Sequence, residues 1–152
     1  MNSEEMVRVL RHVRHDYGNH LQVIMSYIDL ERYEMAKNYI VGVAESAARE
    51  RNLFEQAQAS LALYLYDQML TARELGIILE YNEIGVGSAE PLQNYNEPYR
   101  TLKELHKRMN KPGDDEDYPT MSLSLHQEGA FYRLVFISKY LPESPYEIKI
   151  EI

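Results

Sequence analysis

The sequence predicts an α+β protein in two parts, and three observations carry this. Residues 1–55 contain no proline and hold two long stretches with apolar residues at every third or fourth position, the spacing of amphipathic helices. Residues 56–152 hold all six prolines and several short runs rich in β-branched and aromatic residues, the composition of strands. The final run, "YEIKIEI", alternates apolar and polar residues, as an edge strand does.

The first helix begins at Asn2 and Ser3, which can cap it, and Glu4 and Glu5 suit the positive end of its dipole. Leu10, Val13, Tyr17, Leu21, Ile24 and Ile28 then form one apolar stripe. The pattern breaks at "LERYE", where a short turn reverses the chain, and a second stripe follows at Ala36, Ile40, Val43, Ala47 and Phe54. An αα-hairpin of this kind is half a core. Its shared seam needs another layer, and a second copy of the chain would supply one as a two-fold four-helix bundle; the chain's own second half is the alternative.

In the second part, "SLALYLYDQMLTARELG" reads as a helix ended by Gly76, and "IILEYNEI" (77–84) as a strand. Residues 85–98 read as loop from their Gly, Pro, Ser and Asn content. "YRTLKELHKRMN" reads as a helix, "KPGDDEDYP" as an acidic turn, and "TMSLSLHQEGAFYRLVFIS" as a β-hairpin reversing at Gln127–Gly129. The boundary between the parts is expected near Gln56, giving units of 1–55 and 56–152.

Bulk properties narrow the function. A net charge of −8 disfavours nucleic acid and anionic membrane surfaces, both of which need a basic footprint. With no cysteine there are no disulfides or thiolate metal sites. The acidic start "MNSEEMVRVL" is unlike a signal peptide, and no stretch approaches the roughly 18 apolar residues of a membrane span. A cytoplasmic protein is expected.

The chemistry concentrates in "RHVRHDYGNHLQVI" (11–24), where His12, His15 and His20 crowd together. At ~100° per residue, His15 lies about 160° from the apolar stripe, close to the most solvent-exposed line of the helix. Arg8, Arg11, Asn19 and Gln22 share that ridge, one and two turns to either side. His12 and His20 fall on the flanks. An exposed imidazole beside guanidinium groups suits a nucleophile that meets a phosphoryl group on another protein. Asp16, about 100° round from His15, can hold the ring's tautomer through Nδ1 and leave Nε2 to attack. A metal grip by His12, His15 and Asp16 is the competing possibility, but it lacks a distant third ligand and the HExxH pattern. His106 and His126 sit in ordinary helix and strand contexts.

The segment Arg14-His15-Asp16, then Tyr17-Gly18, Asn19, His20 and Leu21, resembles the phosphoacceptor motif of the sporulation phosphotransferase B family. The same helical hairpin is shared by citrate- and dicarboxylate-type sensor kinases. The likeness runs well through residues 4–84, including "LALYLYDQMLTARELGIILEYN", and loosely beyond. It implies a homodimeric four-helix bundle carrying a degenerate histidine-kinase-ATPase-like α/β domain on each chain. It implies that His15 accepts a phosphoryl group from the aspartyl phosphate of one response regulator and passes it to the aspartate of a second, a sporulation transcription factor. Arg11, Arg14, Asp16 and Asn19 would assist, and Arg8, Gly18 and Gln22 would line the docking surface. Mg²⁺ would belong to the regulator, with no cofactor on this chain.

Sensor kinases of this hairpin type bind ATP, so the second part distinguishes the branches. "NEPYRTLKELHKRMN" lacks an Asn-x-x-x-Asn pattern in its body, and "KYLPESPYE" stands where a glycine-rich Asp-x-Gly-x-Gly loop is expected. Gly85-Val86-Gly87 is a lone GxG in another place. ATP binding is therefore not expected. Mid-helix Gly18 costs about 0.5–1 kcal/mol relative to Ala, and would let a partner's backbone approach closely. The alternative function is a dimeric module that binds or sequesters a regulator and carries no phosphate.

Overall fold

The computed structural model describes residues 2–113 and 118–152. The chain divides into two compact units, Met1–Asn52 and Leu53–Ile152. It is a mixed α+β protein, with helices first and a four-stranded sheet after. The centre of the expected acidic turn, 114–117, lies outside the described residues.

In the first unit, α1 spans Ser3–Asp29. Asn2 Oδ1 accepts from Glu5 N–H and the Glu5 carboxylate accepts from Asn2 N–H, both at 2.9 Å, closing a capping box. The far end closes as a Schellman turn: Arg32 N–H donates to Tyr27 O at 2.8 Å and Glu31 N–H to Ile28 O at 2.9 Å. Glu31 holds the left-handed position, φ 58°, where glycine is usual, at a cost of about 1–2 kcal/mol. This turn lies within "LERYE", and α2 follows over Tyr33–Gln56, its last turn belonging to the second unit.

The helices meet on faces rotated from the expected seam, which share with it Val13 and Ile24 of α1 and Ala36 and Val43 of α2. The covered face of α1 carries Val9, His12, Val13, Asp16, His20, Ile24 and Tyr27, and that of α2 carries Ala36, Tyr39, Val43 and Ser46. Leu10, Tyr17, Leu21 and Ile28, placed in the seam by their spacing, are exposed, as is Ile40. They form a second apolar face about 100° round the helix from the covered one. Val13 and Ile24 stand half-buried where the two faces meet.

In the second unit, α3 (Ala59–Leu75) ends at Gly76 with φ 92°, and Ile77 N–H donates to Ala72 O at 3.0 Å. The sheet has the order β1-β2-β3-β4, formed by Ile78–Gly85, Thr120–Glu128, Phe131–Ile137 and Tyr146–Glu151. β1 and β2 run parallel and the other neighbours antiparallel, and the strand order leaves β4 at an edge, as its alternation predicts. Leu79, Met121, Leu123, Leu125, Leu134, Phe136 and Ile150 form the buried face, with Leu61 and Leu65 of α3 in the same core. Tyr81 Oη on β1 donates to Leu65 O at 2.7 Å.

Three boundaries differ from expectation. Residues 85–98 are not all loop, because α4 occupies Glu90–Tyr95; Pro91 sits in its first turn and Asn96 caps it in the left-handed region. These punctuating residues are helix ends rather than loop interior. The following helix, α5 (Tyr99–His106), stops before "KRMN", where Asn110 N–H turns away to Tyr140 O at 2.7 Å. The β-hairpin reverses at Gly129–Ala130, with positive φ at Gly129 alone, so Gln127 and Glu128 still pair in β2.

Glu97, just before α5, is fully buried. Its carboxylate accepts from Thr101 Oγ1 at 2.9 Å and Thr101 N–H at 3.2 Å, with Arg100 Nε at 3.3 Å. Burial pushes this carboxyl above its ordinary range, and Thr101 and Arg100 offset part of that shift.

Candidate functional site

His15 projects from the middle of α1 with its side chain 74% exposed. Arg8, Arg11, Asn19 and Gln22 are exposed along the same ridge. Helical spacing makes the ridge, and the covered face lies about 120° round from it. An imidazole so placed is open to solvent rather than packed in its own core.

Its polar contacts converge on one ring atom. Asn19 Nδ2 lies 3.4 Å from His15 Nδ1, and Asp16 Oδ1 lies 3.7 Å from the same nitrogen. Nε2 makes no polar contact among the described residues. Asp16 favours a proton on Nδ1, which leaves the Nε2 lone pair available. The Asn19 amide serves that tautomer when its oxygen faces the ring, a 180° rotation that exchanges two nearly equivalent atoms.

The other histidines have different surroundings. His20 Nδ1 and Tyr39 Oη are 2.7 Å apart across the hairpin, and Tyr39 also packs on Tyr27 with ring centroids 6.4 Å apart. His12 Nε2 lies 3.6 Å from Asp16 Oδ2, with its side chain 27% exposed. The sequence leaves His12 and His20 as flanking residues. Spacing did show His12 and Asp16 one turn apart, whereas the contact to Tyr39 depends on how the two helices meet and has no local signal.

The remaining candidates divide in two. Arg14 is exposed but about 100° from His15, on the side of the open apolar face, so it does not share the ridge with Arg8 and Arg11. Gly18 is exposed, and a Cβ built there meets nothing within 4 Å. Among the described residues, no packing demands glycine at that position.

This arrangement can carry a nucleophilic imidazole, orient it through a carboxylate and an amide, and present cationic donors to an incoming anion. No described helix is long and apolar enough to cross a membrane. No curated protein matches the sequence. Residues 1–56 match the family described as "Sensor kinase SpoOB-type, alpha-helical domain", which relates this helical hairpin to the sensor-kinase modules of two-component signalling.

Proposed function

We propose that this protein is a histidine phosphotransferase of a sporulation phosphorelay, working in the cytoplasm without ATP. The observation that carries the reading is His15 itself: exposed on α1, with its polar contacts on Nδ1, and lying within the residues that match the sensor-kinase helical domain. In the reaction, Nε2 attacks phosphorus of a regulator's aspartyl phosphate and forms an N–P bond. The P–O bond breaks, and its electron pair leaves with the regulator's carboxylate. The Nδ1 proton stays, and the positive ring faces Asp16. Transfer onward reverses these steps at the aspartate of a second regulator. Arg8 and Arg11 meet phosphate oxygens or acidic groups of the regulator, whose own pocket holds Mg²⁺.

The second apolar face of α1, with Leu10, Tyr17, Leu21 and Ile28 exposed, supports a homodimeric four-helix bundle in which His15 points outward. In this reading the second unit is a degenerate ATPase-like domain, which agrees with the missing Asn-x-x-x-Asn and glycine-rich loop.

The test is transfer of labelled phosphoryl from a phosphorylated receiver domain. An acid-labile, base-stable adduct that His15→Gln abolishes, with its fold and oligomeric state retained, supports the reading. Labelling that persists in that variant, or none in the parent chain, refutes it.

A further inference from the structure

We propose that His12 is a positioning residue for His15, acting through Asp16; this rests on the phosphoacceptor reading above. One carboxylate stands between two imidazoles. Asp16 Oδ1 faces His15 Nδ1 at 3.7 Å and Asp16 Oδ2 faces His12 Nε2 at 3.6 Å.

The three groups differ in how firmly they are held. His12 lies on the covered face of α1 and is 27% exposed, Asp16 is 37% exposed, and His15 is 74% exposed. An aspartate that open has several rotamers available, and packing alone does not choose among them. His12 supplies an N–H, or a positive charge when protonated, to one oxygen. That contact fixes the carboxylate plane and turns the other oxygen towards His15 Nδ1. The carboxylate in turn favours the Nδ1–H tautomer, the form whose Nε2 can attack. A carboxylate that orients a reactive imidazole acts chiefly by holding its tautomer, and one placed in the wrong rotamer gives that up. His12 never touches the phosphoryl group.

The spacing enforces the relay. His12 and Asp16 are one helical turn apart, so their side chains share a face, while Asp16 and His15 are adjacent and reach each other only sideways. Asp16 is the one member placed to touch both rings.

The experiment compares His12→Leu and His12→Gln with the parent in the full-length chain. Long-range ¹H–¹⁵N spectra of the unphosphorylated protein read the tautomer of His15, and single-turnover transfer from a phosphorylated receiver domain reads its reactivity. His12→Leu is expected to lower the Nδ1–H population of His15 and to slow saturated transfer about tenfold, within the range that misplacement of a reacting group produces. The half-saturating regulator concentration stays unchanged. His12→Gln, whose amide can still donate to Asp16, restores both readouts. An unaltered His15 tautomer in His12→Leu overturns the proposal. Equal losses in both variants, with a melted hairpin by circular dichroism, also overturn it by making His12 a packing residue. If the parent takes no phosphoryl group, the phosphotransferase reading fails, and the tautomer comparison still decides whether His12 orients His15.

Discussion

His20 and Tyr39 join the two helices of the hairpin through a 2.7 Å hydrogen bond between Nδ1 and Oη. The contact sets His20 apart from His15, which shares its sequence neighbourhood but lies on the exposed ridge. Tyr39→Phe removes the hydroxyl and keeps the ring contact with Tyr27. It should destabilise the hairpin by about 0.5–1.5 kcal/mol, measured by chemical denaturation, and leave phosphoryl transfer to His15 unaltered.

Gly18 offers a substitution with opposed effects. Among the described residues, an alanine methyl there meets nothing within 4 Å beyond its own stretch of helix, and the substitution should stabilise the folded protein by about 0.5–1 kcal/mol, visible as a higher Tm. If a regulator's backbone packs beside His15, the added methyl group raises the half-saturating regulator concentration about fivefold, the scale of a 1 kcal/mol overpacking penalty. A variant that is more stable and binds its regulator equally well would exclude that close approach.

Leu21 tests the open apolar face. It is 55% exposed, and a fully buried leucine contributes about 1.5–3 kcal/mol, counted twice across a two-fold interface. Leu21→Glu should convert a dimer into monomers by multi-angle light scattering, with helix content falling only slightly. A parent chain that is already monomeric would contradict the bundle.

Thr101 should tie stability to pH through Glu97. The carboxyl of Glu97 is raised by burial, so its contribution to stability is fully present below the ordinary carboxylate range and is lost as pH rises through the raised value. The Thr101 donors counter that loss by favouring the charged form. Thr101→Val removes the hydroxyl donor and should cost about 1–3 kcal/mol at neutral pH, and less in acid where Glu97 is protonated. A cost that does not vary between pH 4 and 7 would refute the linkage.

Legibility followed how local each determinant is. Gly76, the capping box at Asn2 and Glu5, and the period-two run of β4 act within a few residues, and the sequence displays them directly. Residues 89–96 were opaque because Pro91 and Asn96 signal either loop or helix end, and only the covered Leu92 between them decides. The apolar stripe of α1 belongs mostly to the open face: Leu10, Tyr17, Leu21 and Ile28 lie there, and only Val13 and Ile24 reach the edge of the covered one, a division that depends on how α2 is placed. At the site, the isolation of His15 followed from helical register alone. That Asp16 stands between His12 and His15 required side-chain rotamers.

The central claim is that His15 alone carries the phosphoryl group, and site mapping tests it most directly. After incubation with a phosphorylated receiver domain and Mg²⁺, the chain is digested at neutral to alkaline pH and fragmented without loss of the phosphoramidate. The account predicts one modified residue, His15, with His12, His20, His106 and His126 unmodified. Phosphate on His12 or His20, or no phosphohistidine at all, would contradict it.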